Sequence, residues 1–158
     1  MALAVGSALG ALAVLGVRAW QGGAGPGAAE LAAEAVVVPP VAAVTLGREE
    51  LEPERGLLGR TEQRAFVRVA YEVDLPPEEA IAAWVTAYGE QYGLRTSAAT
   101  LDGKLLATGF AGERLVVVLA GADVSVPPDS AGPRERGFAA PAGGTVVTVE
   151  VAAVEPGS

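Results

Sequence analysis

Apolar and polar residues alternate most regularly over residues 64–73. The apolar positions in this alternation are Val67, Val69, Tyr71 and Val73. Alternation of β-branched and aromatic residues with polar ones is typical of a strand that buries one face. Pro76 and Pro77 follow, and proline has no N–H to donate to a strand ladder. The pattern therefore predicts a strand that ends before the two prolines.

A helical pattern begins at those prolines. Proline suits the first helical turn, where its missing N–H would be unpaired in any case. Glu78 and Glu79 add negative charge at the positive end of the helix dipole. Apolar residues then recur at spacings of three and four, at Ile81, Trp84, Val85, Tyr88 and Tyr92. With Gly93 as the residue after its last turn, the segment predicts a helix whose apolar stripe packs on the strand.

Four further strands are predicted along the rest of the chain, at residues 94–101, 104–110, 114–121 and 145–154. The dipeptide Asp102-Gly103 favours a two-residue hairpin turn between the first two, because such turns need positive φ. One strand, one helix and then four strands predict an α+β fold. We expect a two-layer sandwich over residues 64–154, with one helix packed on a mostly antiparallel sheet of about five strands.

Residues 126–144 are rich in proline, glycine and alanine and predict a long irregular loop. Loops longer than about 12–15 residues are usually either functional or disordered. Arg134, Arg136 and Phe138 lie in this loop, and arginine and aromatic residues dominate binding hot spots. These three are the candidate partner-binding residues, and a disordered insertion is the alternative interpretation.

The first residues of the chain form an uncharged run, residues 1–17, which ends at Arg18 and is followed by Trp20. A membrane-spanning helix needs about 20 mostly apolar residues, and tryptophan favours the membrane interface. We expect residues 1–20 to be a transmembrane anchor in contact with membrane lipid. A cleaved signal peptide and a buried soluble segment are the alternatives.

The remaining segments carry no such signal. Residues 21–63 predict a flexible spacer and a solvated, charged connector. Within this range, residues 28–38 fit a short helix that ends at Pro39-Pro40, and residues 41–46 fit a short strand or an extended segment. Residues 155–158 predict a frayed tail. An anchor followed by a small domain favours a single-pass protein of the cell membrane with its C-terminal domain extracytoplasmic. The preference for arginine, with Lys104 as the only lysine, favours a bacterial source with GC-rich codons.

Two motifs carry a resemblance to a known group. They are V-x-V-x-Y-x-V-D-x-P-P-E-E-A at Val67 to Ala80 and G-G-T-x-V-x-V-x-V at Gly143 to Val151. Behind an anchor and a spacer, they resemble small membrane-anchored extracytoplasmic proteins of actinobacteria. That group carries no assigned activity, so the resemblance implies a location and transfers no functional residue.

Missing residue types limit the chemistry. The chain has no cysteine and no histidine, which removes disulfides, thiolate nucleophiles, cysteine zinc sites and the commonest general base. A net charge of −8 argues against nucleic acid as a partner. Asp123 and Asp129 are candidate ligands of a divalent cation, but no calcium-loop spacing is present. We therefore expect no enzyme, no cofactor and no metal site.

These observations predict a binding or interaction module with an envelope protein as its possible partner. Two alternatives stay open. A structural or assembly subunit of a cell-envelope complex would carry an apolar patch near Phe66, on the sheet face away from the helix. A carboxylate-dependent hydrolase would carry two acidic side chains that converge in a cleft.

Overall fold

The computed structural model describes residues 25–55, 61–101, 103–126, 136–139 and 144–154. The predicted anchor, residues 1–20, and the predicted tail, residues 155–158, lie outside these ranges. Within them, no helix combines the length and the hydropathy that a membrane-spanning segment requires.

Helices and strands follow one another along the described chain with these bounds. The helices are α1 (Ala28–Ala32), a short 3-10 helix (Ala35–Val37) and α2 (Pro77–Tyr92). The strands are β1 (Ala43–Leu51), β2 (Glu54–Arg55), β3 (Thr61–Gln63), β4 (Phe66–Val73), β5 (Arg95–Thr96), β6 (Leu105–Ala111), β7 (Arg114–Gly121), β8 (Asp123–Val126), β9 (Arg136–Ala139) and β10 (Thr145–Ala153).

Six of these strands form one antiparallel sheet in the order β1-β4-β10-β7-β6-β5. Helix α2 packs on one face of this sheet, against β6, β7 and β10. The predicted α+β fold, with one main helix on a mostly antiparallel sheet, is confirmed. The sheet has six strands rather than about five, because β1 pairs along β4 within the range predicted to be spacer and connector.

The predicted strand and helix around the two prolines are confirmed. Strand β4 ends at Val73, and α2 begins at Pro77, as its missing N–H favours. Gly93 follows α2 with φ 61°, in the left-handed region. The apolar stripe of α2 faces the sheet, with Ile81, Trp84 and Tyr92 buried.

The strand predicted at residues 94–101 is much shorter than expected. Strand β5 covers Arg95–Thr96 only. Ser97 Oγ accepts a hydrogen bond from the Ala99 backbone N at 3.1 Å, and such local bonds compete with a strand ladder. The hairpin that follows is confirmed, since Leu101 and Lys104 exchange two backbone hydrogen bonds of 2.9 Å around the turn.

The segment predicted to be an irregular loop, residues 126–144, is regular in part. Strand β9 pairs with β8 in a small two-stranded sheet, with Val126 opposite Arg136 and Val124 opposite Phe138. Two of the candidate partner-binding residues therefore lie on β9. Arg134 and Asp129 lie outside the described ranges.

A segment ahead of β1 packs on the same side of the sheet as α2. We call residues 27–38, which contain α1 and the 3-10 helix, the N-terminal strap. Leu31, Val36 and Val37 of the strap are buried in the core. Three aromatic side chains donate hydrogen bonds to its successive carbonyls: Trp84 Nε1 to Val36 O at 3.2 Å, Tyr71 OH to Val37 O, and Tyr88 OH to Val38 O at 2.6 Å.

A fourth polar contact fixes the strap near its middle. Glu34 accepts a hydrogen bond from Tyr92 OH at 2.8 Å and forms an ion pair with Arg114 Nε. Arg114 lies at the start of β7, so this contact ties the strap to the sheet as well as to α2. The strap is therefore held by buried apolar side chains and by four aromatic donors.

The aromatic donors make stability sensitive to alkaline pH. Burial raises the pKa values of Tyr71, Tyr88 and Tyr92 above 10.0, and the hydrogen bond to Glu34 raises that of Tyr92 further. A raised pKa in the folded state means that unfolded tyrosines lose protons first as pH rises. We therefore expect the stabilisation that these tyrosines contribute to be fully present below about pH 9 and to be lost as pH rises above about 10.

To test this, the urea concentration at the midpoint of unfolding is measured at a series of pH values from 8 to 11.5. Tyr92→Phe removes one of the three titrating groups and should weaken the pH dependence. A midpoint that does not move over this range would contradict the argument.

Candidate binding surface

The sheet face that points away from α2, which we call the open face, carries side chains in rows across the strands. Directly paired residues of antiparallel strands point to the same face. At one end of the sheet, the register aligns five apolar residues, one from each of β1, β4, β10, β7 and β6. They are Leu51, Phe66, Ala152, Leu115 and Phe110, and we call them the apolar row.

The apolar row is accessible to solvent along its length. Phe110 is 65% exposed, and the other four residues are half-buried. Four strand spacings separate its ends, which makes the row about 19 Å long. We call this end of the sheet the near end and the opposite end the far end. Val44 lies on the open face at the far end and is 64% exposed.

A charged row borders the apolar row on the next register positions. Arg68 Nε and Nη2 donate to Glu150 Oε2 at 2.8 and 2.6 Å, and Arg68 Nη1 lies 3.6 Å from Glu49 Oε2. The Arg68 guanidinium carbon also lies 5.2 Å from the ring centroid of Phe66. The charged row therefore fixes one aromatic ring of the apolar row by a cation–π contact.

The same geometry bears on the hydrolase alternative. A glycosidase keeps its two carboxyl groups on either side of a space for sugar and water. Here Arg68 fills the space between Glu49 and Glu150. Across the described parts of the chain, no group of three acidic side chains has the geometry of a metal site.

The third row contains a buried hydroxyl without a partner. Thr148 is 3% exposed, and its Oγ1 makes no hydrogen bond. Its row neighbours, Ala70 and Leu119, offer only apolar side chains. An unpaired buried hydroxyl destabilises the folded state by about 1–3 kcal/mol.

We therefore expect Thr148→Val to stabilise the protein by about 1 kcal/mol, because valine keeps the shape and removes the unpaired hydroxyl. Thr145→Val is the matched control on the same strand. Thr145 is equally buried, but its Oγ1 donates to Leu75 O at 2.6 Å, so removing this hydroxyl should lower the free energy of unfolding. Urea denaturation measures the free energy of unfolding of both variants, which we expect to change in opposite directions. An equal decrease in both variants would contradict the view that the Thr148 hydroxyl is unpaired.

Of the residues predicted to bind a partner, the two that the structure describes, Arg136 and Phe138, lie on β9 and not in the apolar row. Strand β8 leaves the sheet after Gly121, which pairs with Val146 at the far end, and β9 returns beside it. Arg136 and Phe138 are therefore on a hairpin that starts at the far end, and their role stays a prediction. The sequence indicates Phe66 and the outward residues of the strand at 114–121 as places for an apolar patch, but the alignment of Phe66, Leu115 and Phe110 in one row depends on the register.

Comparison of the chain with models of protein families, with curated proteins and with solved structures gives no match in any of the three. Among the described residues, the feature that best fits a binding role is the apolar row, which a rigid, antiparallel sheet presents to solvent.

Proposed function

We propose that the protein is a membrane-tethered binding module whose domain lies outside the cytoplasm and whose contact surface is the apolar row. The observation that carries this proposal is the 65% exposure of Phe110 at the end of a half-buried apolar line. An exposed aromatic ring beside other apolar side chains is typical of an interaction surface. Because the row includes Phe66, it equally supports the alternative of a structural or assembly subunit of a cell-envelope complex. In this proposal the domain is not an enzyme and needs no cofactor.

The rigidity of the surface supports binding. All five of its residues lie within paired strands, and Arg68 restrains the Phe66 ring from the neighbouring row. Side chains that are already ordered lose less conformational entropy when a partner binds. The apolar row therefore offers exposed apolar area whose side chains lose little conformational entropy when a partner binds.

The tether in this proposal is the uncharged run of residues 1–17, followed by Trp20. A single-pass anchor with the N-terminus inside would hold the domain at the outer surface of the cell membrane. The resemblance to membrane-anchored extracytoplasmic proteins supports the same location. The charge of −8 favours neutral or basic partners over nucleic acid.

Cysteine labelling in intact cells tests the location and the contact together. The chain contains no cysteine, so Phe110→Cys and Val44→Cys each give one thiol, at sites that are 65% and 64% exposed. With a membrane-impermeant maleimide, we expect Val44→Cys to be labelled in intact cells and Phe110→Cys to be protected. After purification in detergent, both should react at similar rates.

Each part of the proposal has its own contradicting result. If neither thiol reacts until the cells are broken, the domain lies inside the cytoplasm. If both react equally fast in cells, the apolar row has no partner there. Carbonate extraction of the same membranes checks the anchor, since a protein released by carbonate has no membrane-spanning helix.

A further inference from the structure

From the position at which the chain enters the fold, we infer that the apolar row rests on the lipid bilayer surface. This inference depends on the proposed function, because it requires residues 1–20 to be the anchor. It adds the identity of the surface's partner: the interfacial region of a bilayer with neutral headgroups. Three features support it: the place where the chain enters the fold, the short length of chain between the anchor and that place, and the fixed position of the strap.

The chain enters the described fold at the near end. The backbone N of Ala28 donates to Glu52 Oε2 at 3.2 Å, and Glu52 directly follows Leu51, the first residue of the apolar row. Hairpin β2–β3 leaves the sheet at this same end, between β1 and β4. The place where the chain enters the domain from the anchor therefore lies at the same end of the domain as the apolar row.

The link between the anchor and this entry point is short. Only residues 21–24 separate Trp20 from Gly25, so the chain from Trp20 to Gly25 spans at most about 18 Å. Strand β4 alone, with its eight residues, is about 26 Å long. A domain larger than its link cannot turn freely, so the near end stays closer to the bilayer than the far end.

The contacts of the strap with the domain keep the link short. If the strap could detach, fourteen more residues (25–38) would lengthen the link. Buried Leu31, the hydrogen bond from Trp84 to Val36 and the ion pair between Glu34 and Arg114 hold it on the domain instead. The connection between the anchor and the domain is therefore no longer than this short link.

The composition of the near end suits a lipid interface. Apolar side chains such as phenylalanine and leucine insert at the boundary between headgroups and acyl chains when a protein lies on a bilayer, and Phe110 offers such a side chain at the exposed end of the row. The five residues of the row are far fewer than the roughly 20–30 per side in a stable protein interface. Glu49 and Glu150 border the row, so neutral headgroups fit this surface better than anionic ones.

Lipid contact would also orient the rest of the domain. With the near end on the bilayer, the far end points away from it. The hairpin of β8 and β9, which carries Arg136 and Phe138, starts at that far end. The start of that hairpin would then lie on the side of the domain away from the bilayer.

Fluorescence quenching in vesicles tests the inference on the full chain. Three single-cysteine variants, Phe110→Cys, Val44→Cys and Val38→Cys, carry an environment-sensitive dye at the three large apolar residues that are exposed in the described chain. The proteins are reconstituted in phosphatidylcholine vesicles with bromine on the upper acyl chains. We expect loss of fluorescence at position 110 and none at positions 44 and 38.

Vesicle flotation separates the inference from the proposed function. Protein that does not float with the vesicles lacks the anchor, and both proposals fall. Protein that floats without quenching at position 110 keeps the tether and overturns the lipid contact. Quenching at position 38 or 44 instead of 110 places a different side of the domain on the bilayer.

Two other occupants would be recognised by the same labels. A second copy of the chain would cause self-quenching at position 110 that rises with protein concentration in the absence of lipid. An envelope protein would protect position 110 from maleimide in cells while leaving it unquenched in vesicles. Either result overturns the lipid assignment.

Discussion

Replacing Trp84 with alanine is expected to destabilise the protein by about 3–5 kcal/mol, the usual loss when a buried tryptophan is truncated to alanine. Trp84 is fully buried in the helix layer, with its ring 6.2 Å from that of Tyr71. Its Nε1 also donates to Val36 O, so truncation leaves a cavity and an unpaired carbonyl. The loss is a large part of the about 5–15 kcal/mol that stabilises a typical domain.

Trp84→Phe separates packing from the hydrogen bond. Phenylalanine fills much of the same space but cannot donate to Val36 O. We expect it to cost less than half as much as alanine. Urea denaturation followed by circular dichroism gives both values, with the slope of the transition as a check on the two-state assumption. Equal losses in the two variants would show that the hydrogen bond, and not the ring volume, fixes the strap.

Replacing Gly109 with alanine is expected to destabilise the protein by at least about 3 kcal/mol, at the upper end of the range for overpacking. Gly109 lies in β6, directly under the end of α2. An alanine Cβ there would lie 2.8 Å from both N and Cα of Leu94, and closer still to the carbonyl oxygen of Tyr92. All three are backbone atoms, so the helix end itself has to move.

Gly103→Ala is the control for this variant. Gly103 has φ 76°, but a Cβ there meets nothing within 4 Å. The left-handed backbone alone costs a residue with a side chain about 1–2 kcal/mol. We expect Gly109→Ala to exceed that loss clearly. A smaller effect at Gly109 than at Gly103 would mean that α2 does not sit so close to β6.

The elements predicted correctly share one property: their signal is local. The alternation ending at Val73, the prolines that begin α2 and the glycine after its last turn each act within a few residues. The hairpin turn before Lys104 depends only on its own two residues. Such patterns can be recognised from the sequence because no distant contact has to be known.

Strand β1 was predicted only in part, as a short strand or an extended segment at residues 41–46, because its alternation is interrupted. The register shifts between Thr45 and Gly47, so residues before and after this bulge occupy opposite phases. The charges of Arg48, Glu49 and Glu50 then resemble a solvated connector. In the sheet they lie on an edge strand, where charges and bulges discourage pairing with other chains.

The strap and the apolar row were beyond the reach of sequence patterns for a different reason. The strap is fixed by hydrogen bonds from aromatic side chains to its backbone carbonyls, and carbonyls are the same in every residue. The apolar row joins one residue from each of five strands. Neither can be predicted until the register and the strand order are known.

The central position of β10 has a consequence for how the protein is made. Strand β10 lies between β4 and β7, yet it is the last of the described strands along the chain. During synthesis, β4 and β7 therefore emerge before the strand that separates them. The valines that β10 covers in the finished sheet stay exposed until β10 pairs with both strands. The sheet closes only after β10 has left the ribosome, so the core of the domain is completed late in synthesis, long after β4 and β7 have been made.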